Sequence, residues 1–248
     1  MLLREAPERA TTKTPGRLSR ALLRMLMKQA TVVASEPLSD RFALITLEGK
    51  ALQDVTWVPG QKIQIAMGSA FVARTYTPMD WNTVAGRTRI LAFTHGEGPG
   101  SAWVRNVRPG DVCDLFGPRS SLDVRQTTGP LAVFGDETSI GLAYALLRQD
   151  RTRSVMCHFE VGDREGASQL LEKLEIGPAA LFERQGNGTH ILEMEAALQA
   201  QVDDGATFAL TGQAGTIQRL RQGLKRQEVP AARILTKAYW APGKTGLD

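Results

Sequence analysis

The chain has few of the side chains from which metal sites and covalent catalysis are built. Its two cysteines, Cys113 and Cys157, lie in apolar strand-like runs in different halves of the 248 residues. They therefore read as buried thiols rather than as a disulfide framework. An iron–sulfur cluster takes about four thiolates, so two exclude one. The three histidines, His95, His158 and His190, are scattered without the spacing of a zinc or non-haem iron site. No candidate nucleophile stands in an elbow motif, which sets hydrolysis aside. The basic residues, 30 against 26 acidic ones, come without any helix-turn-helix, zinc-finger or RNA-motif signature, so nucleic acid is not the implied partner. The Gly-x-Gly-x-x-Gly fingerprint of many dinucleotide sites is missing as well. Any redox centre must then be a bound organic cofactor.

Long hydrophobic runs are also lacking. The stretch Leu18 to Ala30 is apolar at Leu18, Leu22, Leu23, Met25, Leu26 and Met27 but is interrupted by Arg20, Arg24 and Lys28. Such a run is neither a signal peptide nor a membrane span. It reads as a helix packing on the domain or as a lead-in within an N-terminal arm, residues 1–27, with no stable membrane insertion. Reduced thiols and no leader imply a cytoplasmic protein. With 42% hydrophobic and 23% charged residues, the chain is long enough for two modest domains.

What is present begins with Phe71-Val72-Ala73-Arg74-Thr75-Tyr76-Thr77-Pro78, an extended segment carrying a cation, an aromatic ring and a hydroxyl. Alternation puts Arg74 and Tyr76 on one face, and Thr77 lies at the strand end that Pro78 closes. After the apolar strand Thr88 to Thr94, the run His95-Gly96-Glu97-Gly98-Pro99-Gly100-Ser101-Ala102-Trp103 is a glycine-rich turn opening a helix. A helix N-terminus fed by such a turn is an anion site. Followed by Phe116-Gly117-Pro118, these pieces describe a flavin nucleotide lying across a small β-barrel. Arg74 falls on the pyrophosphate, Tyr76 against the ring or the ribityl chain, and the amides near Gly100 and Ser101 on phosphate. Thr77 is left to bond the ring edge.

Six strands make up that barrel: Ala30 to Ser35, Arg41 to Leu47, Gln61 to Ala66, Val72 to Thr77, Arg87 to Thr94 and Asp111 to Leu115, with a short helix from Ser101 to Asn106. After a polar connector the rhythm changes to repeated strand, turn and helix. The strands are Pro130 to Phe134, Val155 to Glu160, Ala180 to Phe182, Thr207 to Leu210 and Arg233 to Lys237. The fold class is thus α/β with two domains, a six-stranded antiparallel β-barrel that binds the flavin and an open parallel sheet with helices on both faces. The expected division is 28–118 for the barrel, 119–129 for the linker and 130–248 for the nucleotide-binding sheet. Ligands bind such sheets at the carboxyl ends of the strands. There the turns after Phe134 and Leu210 replace the missing fingerprint, while Asp136 and Glu137 read as helix caps. The acids Glu160, Asp163, Glu183, Glu193 and Glu195 read as strand ends and solvated faces.

Taken together, Arg74-Thr75-Tyr76-Thr77, the run from Thr94 to Trp103, Arg108-Pro109-Gly110-Asp111, Gly135-Asp136-Glu137-Thr138, Thr211-Gly212-Gln213-Ala214 and Tyr239-Trp240 resemble the siderophore-interacting proteins. These are flavin-dependent ferric-siderophore reductases of the ferredoxin-reductase-like superfamily. The resemblance implies FAD as cofactor and NAD(P)H as electron donor. It adds Thr75, His95, Gly98, Ala102 and Trp103 to the flavin-binding set. It also places Thr138, Ser139, Gly212 and Gln213 at the nicotinamide nucleotide and Trp240 over the ring. The implied reaction passes electrons singly from flavin to iron held in a siderophore or another chelate, which Arg119, Lys237, Tyr239 and Lys244 would receive. Arg164 and Arg184 are candidates for a ribose-phosphate pocket.

Two departures stand out. Between Ile65 and Arg74 the chain has only a short turn through Met67-Gly68-Ser69-Ala70, where the family carries a longer insertion, and Ala241 replaces the family's arginine after the aromatic pair. Two alternatives therefore stay open: a generic NAD(P)H:flavin or ferredoxin-type reductase, with ferredoxin as a partner, and a flavin- or siderophore-binding module without catalysis.

Overall fold

The computed structural model describes residues 27–69, 72–177 and 179–244. Nearly all of the N-terminal arm, and Phe71, lie outside them; Lys28 to Ala30, at the end of the apolar run, are strand.

Seven antiparallel strands form the first sheet: β1 (Lys28–Pro37), β2 (Phe42–Glu48), β3 (Lys62–Ser69), β4 (Val72–Tyr76), β5 (Pro78–Asn82), β6 (Arg87–Phe93) and β7 (Val112–Arg119). Their order is β4-β3-β7-β1-β2-β6-β5. The two edge strands, β4 and β5, are separated in sequence by Thr77 alone, so the sheet has to curl until its edges nearly meet. The expected six strands become seven because Pro78 starts a strand as well as ending one. It lacks an N–H and sits where the chain leaves one edge for the other, a position proline tolerates.

The second sheet is parallel, with the order β10-β9-β8-β11-β12. Its strands are β8 (Leu131–Asp136), β9 (Val155–Val161), β10 (Ala179–Glu183), β11 (Thr207–Gln213) and β12 (Ile234–Trp240). Five α-helices are described. Helix α1 (Pro99–Asn106) belongs to the curled sheet, and α2 (Ile140–Gln149), α3 (Arg164–Lys173), α4 (Thr189–Asp203) and α5 (Ala214–Arg226) cover the parallel one. None is long and apolar enough to cross a membrane.

Three apolar clusters hold these elements. Ile45, Leu47, Ile63, Ile65, Ile90 and Leu115 fill the curled sheet. Alternation along β8 sends Ala132 and Phe134 toward α4 and α5, and Leu131 and Val133 toward α2 and α3. Strand β2 breaks the alternation rule, being buried from Phe42 to Leu47. Its Ala43 and Ile45 face the barrel interior, while Phe42 and Leu44 join Ile140, Leu142 and Val133 in the core of the other unit. The two sheets therefore share apolar packing, which fixes the site between them.

Both cysteines are buried, and burial raises their thiols to about 11 for Cys113 and about 12 for Cys157. His158 is the odd member of the second core. It stacks on Phe134 at 4.2 Å with an interplanar angle of 4°, and neither ring nitrogen has a partner among the described residues. Burial lowers its pKa to about 4. A histidine held neutral stabilises the fold fully above the unfolded-state value near 6.5, and that stability is lost as the pH falls toward 4. His158→Phe, which keeps the stack and removes two unpaired nitrogens, is expected to stabilise by about 1–2 kcal/mol at neutral pH. It should also flatten the loss of stability between about pH 6.5 and pH 4, by up to about 3 kcal/mol. Urea unfolding across that range, with an unchanged acid limb in the variant, would contradict this.

Candidate functional site

The site lies where the curled sheet meets the carboxyl ends of the parallel strands. On the first side, β4 presents Arg74 and Tyr76 to the first turn of α1. A Cβ added to Gly100 would stand 3.1 Å from Arg74 Cγ and 3.5 Å from the Tyr76 hydroxyl, so glycine leaves room where a cation, a phenol and a helix start converge. Helix α1 has no side-chain cap at Gly98 and carries proline in its first turn, which leaves its leading amides to a ligand. Arg74 Nη1 donates to the carbonyl of the preceding Ala73 at 2.8 Å, which holds the guanidinium beside the turn. Tyr76 packs on Trp103 with ring centroids 6.0 Å apart, and burial raises its phenol pKa well above the ordinary value. It stays a neutral donor. A cation, a protonated phenol and free helix amides suit a pyrophosphate and a flavin ring, so the donor set fits FAD.

Ser101 keeps the main-chain role expected of it, and Thr75 lies on the face of β4 opposite Arg74. The Ser101 hydroxyl donates to the His95 carbonyl at 2.9 Å and accepts from the His95 amide at 3.0 Å. It shapes the glycine turn, and only its main-chain N–H is left for phosphate. Thr75 points to the exposed face of β4. Ala102 follows in the helix, its amide bonded to the Gly98 carbonyl.

On the second side the strand order reverses between β8 and β11, which makes their carboxyl ends the switch point where open α/β sheets bind ligands. Asp136 is there, fully buried. Its Oδ1 accepts from the Thr138 amide at 2.9 Å and from the Thr138 hydroxyl, and its Oδ2 accepts from Trp240 Nε1 at 2.6 Å. Thr211 Oγ1 donates to Ser139 Oγ at 2.8 Å. Gly212, at φ +95°, lies over the Asp136 carboxylate, which a Cβ would meet at 2.6 Å. The hydroxyls of Thr138 and Ser139 are thus already bonded within the protein, and Gln213 turns its side chain inward to accept from the Thr216 amide at 3.0 Å.

Residues of both sides meet through the end of the chain. A register shift between Gly212 and Gln213, which pair with Ala238 and Trp240, leaves Tyr239 as an extra residue in β12. Such a bulge re-aims side chains that strict alternation would send apart. The Thr77 hydroxyl lies 3.4 Å from the Tyr239 hydroxyl, and Trp240 stacks on His95 at 6.1 Å. His95 in turn stacks on Phe93 at 6.0 Å. Burial raises the Tyr239 phenol to about 12, so it too remains protonated.

The remaining candidates do not join this cluster. The Arg119 guanidinium lies 4.5 Å from the Phe116 ring centroid and bonds Gln64, directly across β3 and β7 from Lys62. Lys237 is half-buried on β12, and Lys244 is exposed beyond it. Arg184 is committed to Glu137, with bonds of 2.7 and 2.6 Å, so it is not free for a ribose phosphate. Glu160 is buried, contrary to a solvated face, and accepts from Thr216 Oγ1 at 2.9 Å with His190 Nε2 at 3.3 Å. The sequence reading took Asp136 and Glu137 for caps alone. Their position at the end of a fully apolar strand is the signal that marks them as buried.

Residues 67–122 match the model of the siderophore-interacting FAD-binding domain. A siderophore-interacting protein from Acinetobacter baumannii has the same fold, with TM-score 0.70 and 21% identity over 88% of this chain and 92% of that one. A siderophore utilization protein from T. fusca matches with TM-score 0.70 and 21% identity over 90% and 95% of the two chains. The ferredoxin reductase in carbazole 1,9a-dioxygenase matches with TM-score 0.71 and 19% identity over 86% and 69%. No curated protein matches. The resemblance read from the motifs is borne out, as is the pairing of a curled antiparallel sheet with a parallel α/β sheet.

Proposed function

We propose that this chain, a relative of the siderophore-interacting proteins that carries their FAD-binding domain, is a flavin-dependent oxidoreductase. It takes electrons from NAD(P)H and delivers them to ferric iron held in a siderophore. The observation that carries this reading is the convergence of Arg74, Tyr76 and Gly100 on the uncapped start of α1, joined by Thr77 and Tyr239 to the switch point of the parallel sheet. In this reading residues 28–118 hold the flavin and 130–248 the nicotinamide nucleotide, with 119–129 as linker.

FAD bound there would supply the ability to take two electrons together and release them one at a time. The protein's part is placement and electrostatics. Arg74 and the α1 amides neutralise pyrophosphate charge, and Tyr76 and Trp103 form an apolar wall with a polar tip. At the meeting point of the two units the Thr77 hydroxyl donates to the Tyr239 hydroxyl at 3.4 Å, which leaves the protonated Tyr239 phenol as the donor for a ring edge. Asp136 and Glu137 add negative charge at the switch point, which leaves main-chain donors near Gly212 as the phosphate contacts. The ferric chelate is substrate. Arg119 on β7, and Lys237 and Lys244 near the chain end, supply positive charge for an anionic chelate. Reduction releases the metal because hard oxygen ligands hold iron(III) far better than iron(II).

One observation favours the generic or ferredoxin-type reductase as a second reading. Ser69 pairs with Val72, so only two residues join β3 to β4 ahead of Arg74, without the longer insertion of the siderophore-interacting proteins. Anaerobic mixing with NADH and with NADPH is the first test. The flavin absorption at about 450 nm is expected to bleach with at least one donor, and failure with both would leave only a binding module. Reoxidation by ferric chelates faster than by ferredoxin or free flavin is then expected, and the reverse order would select the second reading.

A further inference from the structure

Asp136 does more than a helix cap requires. Capping needs one oxygen, and Oδ1 provides it to the Thr138 amide at 2.9 Å. Serine, threonine or asparagine would cap as well without burying a charge, and burying a carboxylate costs several kcal/mol. The second oxygen is spent on Trp240 Nε1 at 2.6 Å, 104 residues further along the chain. Trp240 stands beside the β12 bulge, and its ring stacks on the His95 ring of the barrel's glycine turn. Gly212 lies so close that any side chain there would meet the carboxylate. The bond from Asp136 to Trp240 is thus built into the packing at the place where the two units touch.

Resting on the function proposed above, we propose that Asp136 is a positioning residue of the reaction: its carboxylate holds Trp240 against His95 and so fixes the wall of the crevice in which the nicotinamide meets the flavin. It touches neither reactant. An ionised carboxylate makes a stronger bond to an indole N–H than a neutral acid does.

The charged and titratable groups around Asp136 come from every neighbouring element. Glu137 follows it in the chain, Glu160 ends β9, Arg184 follows β10, Tyr239 lies on β12, and His95 faces Trp240 from the barrel. Burial, more than these neighbours, raises the Asp136 carboxyl to about 6. At neutral pH it is mostly ionised, and proton uptake below that value removes the charge from the bond to the indole.

The test uses the FAD-loaded full chain. The indole N–H resonance of Trp240, assigned by its loss in Trp240→Phe, is expected to titrate with a midpoint near pH 6, and to be flat in Asp136→Asn. In stopped-flow reduction by whichever nucleotide bleaches the flavin, the wild type should show an acid limb with the same midpoint. At about pH 7.5 Asp136→Asn should be about tenfold slower, as expected of a group displaced from its reacting geometry, with the dissociation constant for FAD changed less than about threefold. Trp240→Phe, which leaves the buried carboxylate and its cap in place, should likewise lose the limb. An indole resonance that does not move between about pH 5 and 8 would overturn the proposal, as would rate and FAD affinity falling together in both variants. Should neither nucleotide bleach the flavin, the proposed function falls and the positioning role falls with it. The indole titration then reports separately whether Asp136 holds Trp240.

Discussion

Replacing Arg74 by alanine is expected to weaken FAD binding by about 100-fold, while leaving the protein folded. Arg74 is half-buried on β4, where its side chain lies against Gly100 at the start of α1, and among the described residues it donates to the neighbouring Ala73 carbonyl. Nothing in the core is left unpaired when it is removed. A charge-assisted pair to a pyrophosphate contributes about 1.5–3 kcal/mol, and every 1.4 kcal/mol is about tenfold in affinity. Arg74→Lys should recover part of the loss, since a point charge replaces the planar fork. Titration of the apoprotein with FAD, read by flavin fluorescence, measures both variants. A change below about threefold for Arg74→Ala would mean that the flavin is held elsewhere, and the barrel side of the site would have to be redrawn.

The second large effect concerns stability. Arg184→Ala is expected to cost about 2–4 kcal/mol, because it leaves the buried Glu137 carboxylate without its cation and close to Glu160. The Glu137 side chain is 5% exposed and that of Arg184 30%, so water screens one partner but cannot solvate the other. For a chain of this size the melting temperature should fall by about 5–15 °C. Glu137→Gln in the same chain removes the stranded charge and should restore about half of the loss, a coupling that a double-mutant cycle isolates. Equal melting temperatures for the wild type and Arg184→Ala would show that the pair is solvated in solution. If Arg184 instead bound a ribose phosphate, the variant would keep its stability and lose affinity for NADPH alone. The two roles thus separate cleanly.

Much of the architecture was legible in local pattern. The five parallel strands and their helices announce themselves as apolar runs of strand length alternating with amphipathic stretches. The residues proposed to hold the flavin are legible for a similar reason. Arg74 and Tyr76 share a face by alternation alone, and the glycine turn is continuous with the helix it opens. The seventh strand was missed because Pro78 both ends β4 and begins β5, and no local signal separates those two acts. Buried carboxylates were misread for a different reason. Glu160 looks like any acid at a strand end until His190 and Thr216, from helices distant in sequence, close over it.

The sequence alone determined which chemistry the chain can carry: with so few thiols and imidazoles, any redox centre has to be a bound organic cofactor, and the order of its motifs puts a cation, a phenol and a helix start within one antiparallel unit. Those are relations between neighbours along the chain, which alternation and turn chemistry set directly. Tertiary structure decided how the two units meet. The β12 bulge at Tyr239, the reach of Trp240 to Asp136 and the pairing of Arg184 with Glu137 join residues between 26 and 104 positions apart. Contacts at that range depend on strand order and on the fit of one core against another, which no short stretch of residues encodes.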